Sequence, residues 1–552
     1  MKRIFVYGMM CLGLVAGPQH IMAQTRNTSD KAFEIAKNLE IFSNVYTNLH
    51  LNYVDDVDPG KTMKVAIDAM LSSMDPYTNY FPESDMEDVK LQLLGQYGGM
   101  GALIHQKGSF VYIAEPYKGL PADKVGLKAG DKIVEINGES AEGKTNSDVS
   151  NLLRGQAGTT IEVVVERDGQ KIKNTITREE IKLPNVPYSG MVNGNCGYIK
   201  LNEFTGDAAL HVREAFKKLK SEHPDMNGVI LDLRGNGGGL MNEAVDIVNI
   251  FVKRGELVVE TKGKVASKNT KNFTRLAPED LEMPVVVLID GYSASASEIV
   301  SGSLQDLDRA VIVGNRSYGK GLVQNILPMA YNSQMKVTVS KYFIPSGRCI
   351  QAIDYSNRDE QGRALKVPDS LKTAFKTRNG RIVYDGFGIE PDVEVETEYM
   401  SSLSVALVQK FLVFDYATKF YKEHSAIATP DKFEITDAIY ADFCNFLSDK
   451  SYDYSTYTEK ILTELRKVSE EEHYLEALEE DIKALEQKLK DDKAADLQKH
   501  RKEISELLKG EILTRYYYQE GRIQGSLVSD PDVKKAVEIL SNKEEYQKIV
   551  KG

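Results

Sequence analysis

The residues best placed to do chemistry in this chain lie in one run, Gly291-Tyr292-Ser293-Ala294-Ser295-Ala296-Ser297-Glu298. An apolar stretch of buried-strand type, Val285 to Ile289, precedes it, and Ser297-Glu298-Ile299-Val300 opens a helical pattern after it. Small residues at a strand-to-helix turn let a substrate approach closely, and the N–H groups of a helix start can hold an oxyanion. This is the setting of a nucleophile elbow, although the Gly-x-Ser-x-Gly form is absent. A plain serine-rich helix cap has the same composition. On these residues alone Ser293, Ser295 and Ser297 all remain candidates.

A nucleophilic serine needs a base. The histidines are His20, His50, His105, His211, His223, His424, His473 and His500, and none lies between His223 and residue 400, where the other chemical features sit. A lysine can replace histidine if burial lowers its pKa from about 10.4 toward neutrality. Lys320, between Gly319 and Gly321 in a loop after the strand-like Ala310–Val313, has the small and largely uncharged neighbours that favour desolvation. Gly314 to Lys320 also fits the first seven positions of a phosphate-binding P-loop. The eighth position is Gly321 rather than Ser or Thr, and Leu322–Pro328 reads as extended where a P-loop needs a helix, so nucleotide binding is set aside. The third chemical segment is Asp232-Leu233-Arg234-Gly235-Asn236-Gly237-Gly238-Gly239. Its successive glycines after a strand expose backbone N–H groups to a substrate carbonyl, though a flexible turn would look alike.

Positioning these loops calls for an α/β layer. Gly228–Leu231, Val285–Ile289 and Ala310–Val313 read as buried parallel strands, with a helix over Asn242–Val252 between the first two. Residues 95–182 differ: short β-rich runs (Phe110–Ile113, Lys132–Ile136, Ile161–Val165) alternate with turn signals such as Asn137-Gly138, around a short helix at Ser147–Leu153. Residues 28–94 carry helical periodicity, interrupted by Asp75-Pro76. Residues 400–552 read as mostly helical, with Thr456–Lys509 a charged amphipathic stretch of helical-hairpin type.

The bulk numbers bound the rest. A length of 552 residues implies three or four domains, and 42% hydrophobic residues suffice for a sizeable core. A net charge of −12 without a long basic run excludes nucleic acid as a partner. Met1-Lys2-Arg3, the apolar Ile4–Gly17 and the small Ala23 before Gln24 read as a secretory leader over residues 1–23, with an uncleaved anchor helix as the alternative. Cys196, Cys349 and Cys444 show neither metal-ligand spacing nor a disulfide framework.

Together the three chemical segments resemble the C-terminal processing (tail-specific) peptidases, serine proteases with a Ser/Lys dyad. The resemblance rests on Ser293–Glu298, Gln305-Asp306, Gly314, Tyr318–Gly321 with Val323-Gln324, Asp232-Leu233-Arg234 with the triple glycine, Ile344–Arg348 and Gly388–Asp392, and covers about residues 30–395. That family places its lysine 25 residues after the nucleophile, which selects Ser295 to accompany Lys320. It further implies that Gln324 orients the lysine, that Ala296, Gly238 and Gly239 supply the oxyanion amides, and that Asp306 is an acidic support near the site. The implied fold is α/β, a crotonase/ClpP-like peptidase core with an inserted β-rich PDZ domain, a helical N-terminal cap and a helical C-terminal extension. The implied boundaries are 24–94 for the helical N-terminal region, 95–182 for the PDZ-like domain, 183–399 for the core and 400–552 for the extension. In the PDZ-like domain, Gly98, Gly99, Met100 and Gly101 resemble the loop that holds a C-terminal carboxylate, and Arg154 the turn that faces the peptidase core.

The resulting expectation is an exported endopeptidase of the periplasm or another extracytoplasmic space. It would act near the C-terminal tails of polypeptides by acyl transfer to Ser295, with no metal or organic cofactor. Its expected partners are protein or peptide substrates bound through a C-terminal tail, with homo-oligomers through the helical N- or C-terminal regions. Two rivals remain: a non-catalytic PDZ-type adaptor, which a serine-reactive probe would separate, and a lipid- or retinoid-binding protein on the same core, which a mass measurement after ligand soaking would reveal.

Overall fold

The computed structural model describes residues 18–85, 96–193, 195–396, 399–493 and 495–552. Residues 1–17 of the expected leader lie outside that set. The chain divides after Tyr80 into two compact units. In the first, helices Pro18–Asn52 and Pro59–Ser72 are joined by a short turn. Asp58 caps the second helix by accepting the Lys61 amide, and Pro59 starts it, as expected for a residue with fixed φ and no N–H. Helix does not continue toward residue 94 as the periodicity suggested: Asp75 instead accepts the Tyr77 and Thr78 amides in a turn, and residues 86–95 lie outside the described residues.

The second unit holds the chemical segments. Its central sheet runs Tyr188–Val192, Cys196–Lys200, Gly228–Asp232, Val285–Ile289, Val311–Gly314 and Val393–Glu394 in that spatial order. The first pair is antiparallel and the others are parallel. The strands Gly228–Asp232, Val285–Ile289 and Val311–Gly314 are completely buried and apolar apart from the terminal Asp232, as a sheet covered on both faces requires. Helices Ala208–Glu222, Met241–Phe251 and Ala296–Asp306 cover one face through Phe216, Phe251, Val300 and Leu304. The C-terminal helices Pro531–Ser541 and Lys543–Lys551 cover the other through Val533, Ile539, Leu540 and Tyr546. The tail is therefore a layer of the core fold. Each such side chain contributes roughly 1.5–3 kcal/mol by burial.

The β-rich domain is a sheet in the order Ala102–Lys107, Phe110–Pro116, Lys132–Ile136, Thr160–Arg167, Gln170–Thr177, closed over Val111, Ile113, Leu127 and Val163. Helix Asn146–Leu153 is started by a capping box between Thr145 and Asp148. Ala102–Lys107 forms one edge of this sheet. The charged stretch after Thr456 forms helices Tyr457–Glu471 and Leu475–Lys493, paired by Arg466 with Glu479, followed by the longer Arg501–Ser526. Helix Leu412–Glu423 docks on the β-rich domain, where Phe411 stacks on His105 at 4.3 Å and Phe414 meets its edge at 4.6 Å. Lys107 pairs with Asp415 beside them.

Candidate active site

Three adjacent parallel strands end on the same side of the sheet, and each feeds one chemical segment. Gly228–Asp232 leads into the glycine turn, Val285–Ile289 into the serine run and Val311–Gly314 into the lysine loop. The carboxyl ends of parallel strands are where an α/β sheet builds its sites, because loops there face a common crevice.

The three serines are not equivalent. The Ser293 hydroxyl is buried and donates to the Leu233 carbonyl at 2.9 Å. The Ser297 hydroxyl is buried and donates to the Asn236 carbonyl at 2.8 Å. Both are structural ties between the serine run and the glycine turn. Ser295 alone of the three is partly exposed. Its backbone sits at φ 56°, ψ −111°, immediately before helix Ala296–Asp306. A non-glycine residue at such dihedrals carries about 1–3 kcal/mol of strain, the backbone signature of an elbow that presents its side chain.

Ser295 and Lys320 are fastened to the same two groups. The buried Glu298 carboxylate accepts the Ser295 amide at 2.7 Å and the Lys320 amide at 2.9 Å on one oxygen. Its other oxygen accepts the Gly319 amide at 2.7 Å and the Ser317 hydroxyl at 2.5 Å. Burial pushes the Glu298 carboxyl up, and these donors pull it back toward the ionised form. From the opposite side the buried Tyr342 phenol reaches the Lys320 carbonyl at 2.7 Å and the Ser295 carbonyl at 3.1 Å. Burial raises the Tyr342 pKa well above the ordinary phenol value, so it remains a donor. The loop is held further by the Gly321 amide on Gln351 and by the Ile389 amide on the Ser317 hydroxyl. It is followed by strand Leu322–Pro328, with no helix to receive a phosphate, which disposes of the P-loop pattern.

The glycine turn packs directly on the elbow. A methyl group on Gly238 would sit 2.6 Å from the Ala294 carbonyl oxygen, 2.8 Å from the Ser295 Cβ and 2.9 Å from the Ala296 nitrogen. The Gly238 amide itself donates to the Asn236 side chain at 2.9 Å. Among the described residues the Ala296 and Gly239 amides have no backbone or side-chain acceptor, whereas the Gly238 amide is taken. Buried Asn236 is the hub of the contact, since its carbonyl also accepts the Ala294 amide at 3.0 Å and its side chain reaches the Leu201 carbonyl at 2.9 Å.

One expected site residue lies elsewhere. Asp306 is at the far end of the 11-residue helix that begins after Ser295, about 15 Å away at 1.5 Å rise per residue. There it forms a buried pair with Arg348 at 2.9 Å and accepts the Ser346 amide. Burial pushes its carboxyl up while Arg348 pulls it down. It anchors the Ile344–Arg348 turn and does not approach the elbow. Gln324 lies on the strand after the lysine loop, and its amide donates to the Thr338 hydroxyl at 3.2 Å.

In the β-rich domain, Gly98 and Gly99 belong to a two-stranded ladder with Glu179–Lys182. Gly98 also lies against Gly155, whose amide donates to the Gly98 carbonyl at 3.0 Å. The part of the loop that leads into the edge strand Ala102–Lys107 is Met100–Gly101. Gly101 has φ +71°, and a methyl group there would meet the Leu120 Cβ at 2.6 Å. Arg154 lies over the Tyr97 ring at 5.4 Å, a contact within the domain. Glu298, Tyr342 and Asn236 escaped sequence reasoning as site residues. Only Glu298 left a trace there, since Ser295-x-x-Glu298 has the capping-box form.

Among the described residues no cluster of His, Cys, Asp and Glu could hold a metal ion, and no helix is long and apolar enough to cross a membrane. The model of peptidase family S41 matches residues 195–357, that of the PDZ domain residues 112–167, and one described as "Probable PDZ-protease, C-terminal helical domain" residues 403–540. A carboxy-terminal-processing protease of Bartonella bacilliformis is 35% identical over 337 residues, which are 60% of this chain and 77% of that protein. A Staphylococcus aureus protein named a probable CtpA-like serine protease is 30% identical over 69% of this chain and 68% of its own length. Among solved structures, a photosystem II D1 C-terminal processing protease aligns over 64% of this chain and 86% of its own at 26% identity, with a TM-score of 0.35.

Proposed function

This chain belongs to peptidase family S41, the family of the carboxy-terminal-processing proteases, and from that premise we propose that it cleaves polypeptides by acyl transfer to Ser295 with Lys320 as general base. It is a protease with a PDZ domain. The observation that carries the finer reading is the shared fastening of a strained, partly exposed Ser295 and of Lys320 by Glu298 and Tyr342.

In this reading neutral Lys320 takes the Ser295 hydroxyl proton as Oγ attacks the scissile carbonyl. The tetrahedral oxyanion is received by the Ala296 and Gly239 amides. The lysine ammonium then protonates the departing amine, leaving an ester on Oγ. Water, deprotonated by the same lysine, hydrolyses the ester and restores the hydroxyl. Every proton is carried by Lys320, so no metal is required. Gln324, four residues beyond the lysine on strand Leu322–Pro328, limits the positions that Lys320 can adopt.

Substrate reaches the site by way of the PDZ domain. Its C-terminal carboxylate is held at Met100–Gly101, and its strand is added to the edge strand Ala102–Lys107. That places cleavage upstream of a free C-terminus. Residues 24–94, 95–182, 183–399 and 400–552 act as the N-terminal helical region, the PDZ domain, the peptidase core and the helical extension, and residues 1–23 direct export. The test is hydrolysis of an unstructured peptide with a free carboxyl terminus and of the same peptide amidated. Wild-type protein cleaves the free acid faster, and Ser295→Ala and Lys320→Ala each remove cleavage. Activity retained in either variant refutes the dyad, and equal rates on acid and amide refute carboxylate capture.

A further inference from the structure

Beyond the dyad, the structure brings the distant end of the chain to the glycine turn. Arg234 opens that turn, and its largely buried guanidinium is divided between two partners. One side faces Asp232, to which Nη2 donates at 2.7 Å. The other reaches the C-terminal segment, where Nη1 donates to Asp530 at 3.0 Å and to Asp532 at 2.7 Å. Those contacts join residues 296 and 298 positions apart in sequence. Lys200 completes the cluster by bonding Asp232 at 3.2 Å and the Arg234 carbonyl at 2.6 Å. Burial works against the charge on Arg234, yet its carboxylate partners hold its pKa well above the ordinary value. Burial likewise opposes the charge on Asp232, which Arg234 and Lys200 nevertheless keep well below the usual carboxylate range.

The turn needs such external support. Four of the five residues after Arg234 are glycines, with φ of +70° at Gly235, +100° at Gly238 and +144° at Gly239. A glycine-rich segment has little intrinsic preference for one conformation. Its geometry must come from its edges: Asn236 on the elbow side, Asp290 on the Gly235 amide at 3.0 Å, and Arg234 at its start. The same Asp290 also accepts the Tyr292 and Ser293 amides, so a shift at Gly235 is transmitted to the serine run.

We infer that Asp530 and Asp532 are positioning residues for the peptidase reaction, holding Arg234 so that the Gly235–Gly239 turn stays in register with Ser295. This rests on the acyl-transfer reading of Ser295. The C-terminal helix is thereby more than a cover for the sheet: its start holds the arginine that opens the glycine turn. Asp530 also caps helix Pro531–Ser541 by accepting the Val533 amide at 3.1 Å, so Asp532 is the cleaner of the two to change. Deleting the tail would uncover a face of the central sheet, and point variants of the full chain avoid that.

The variants are Asp532→Asn, Asp530→Asn/Asp532→Asn and the charge-retaining Asp532→Glu. Active sites are titrated with a fluorophosphonate probe, kcat and KM are measured on an unstructured peptide, and affinity is measured for a peptide boronate that forms a tetrahedral adduct. Misplacement by about 1 Å corresponds to a loss on the order of 100-fold. The expected result is a fall in kcat per titrated site of about 10- to 100-fold in the double variant. The single variant is intermediate, KM is nearly unchanged, boronate affinity falls in parallel, and Asp532→Glu recovers part of the loss. Unchanged kcat per titrated site overturns the inference, whatever the melting temperature does. So does a fall in kcat with boronate affinity intact. Failure of the underlying reading shows separately, as wild-type protein that binds no boronate or as Ser295→Ala protein that still cleaves.

Discussion

Replacing Glu298 tests how the site is assembled. Its two oxygens receive four donors: the amides of Ser295, Gly319 and Lys320, and the Ser317 hydroxyl. Glu298→Gln keeps the shape and retains one acceptor oxygen. With that oxygen toward Ser295 and Lys320, the new NH₂ group faces the Ser317 oxygen, which can accept, and the Gly319 amide, which cannot. The Gly319 N–H and the Ser317 hydroxyl hydrogen are then left without their acceptor, at about 1–3 kcal/mol each. Glu298→Ala strands all four donors, so its loss is at least twice as large by the same reasoning. The assay is urea unfolding followed by tyrosine fluorescence, alongside cleavage of an unstructured peptide per folded molecule. Glu298→Gln should fold with reduced stability and cleave slowly, because the elbow and the lysine loop lose their common charged acceptor. Glu298→Ala should be far less stable and inactive. Wild-type stability and turnover in both variants would refute the claim that this carboxylate joins the two halves of the site.

Three other outcomes follow from the same structure. Gly238→Ala places a methyl group within 2.9 Å of three elbow atoms at a φ of +100°. It should lower kcat/KM on the order of 100-fold while leaving binding of a C-terminal peptide to the PDZ domain intact, as read by fluorescence anisotropy. Asp306→Asn breaks a buried pair with Arg348 and should cost about 3–5 kcal/mol in unfolding, with activity per titrated site retained. A selective loss of turnover would restore Asp306 to the site. Finally, burial between Phe411 and Phe414 lowers the His105 pKa to about 4, against an ordinary value of 6.5. Its folded form binds fewer protons than its unfolded form between those values. Its contribution to stability is therefore complete above pH 6.5 and is lost as pH falls toward 4. Solvent screening at this half-buried ring reduces the loss to roughly 1–2 kcal/mol, and His105→Phe should flatten that part of the stability–pH curve measured by thermal denaturation.

Much of the α/β core was legible because its strands are short, apolar and bounded by glycine turns. Val285–Ile289 has the expected bounds, and helix Met241–Phe251 is displaced by one residue from the Asn242–Val252 reading. The ambiguity among Ser293, Ser295 and Ser297 was not resolvable from local pattern. In three dimensions the Leu233 and Asn236 carbonyls claim two of the hydroxyls, which supports the choice of Ser295. The tail's place in the fold was hidden for a related reason. Helix Pro531–Ser541 is amphipathic like any surface helix, and nothing local says that its apolar side closes the far face of a sheet built some 300 residues earlier. Tyr342 and Asn236 were invisible because one buried phenol or amide leaves no periodic trace. Asp306 was misplaced because proximity in sequence to the serine run becomes distance along a rigid helix. The interruption read at Asp75-Pro76 is a turn in which the Asp75 side chain offers the chain an alternative to helix.

The central claim is that Ser295, activated by Lys320, is acylated. The most direct measurement is intact mass with peptide mapping after brief exposure to a fluorophosphonate, on wild-type, Ser295→Ala, Ser293→Ala and Lys320→Ala proteins of verified fold. The account predicts a single adduct on Ser295 in the wild-type and Ser293→Ala proteins, no adduct in Ser295→Ala, and a labelling rate in Lys320→Ala reduced by at least about 100-fold. An adduct on another serine, or undiminished labelling without Lys320, would contradict it.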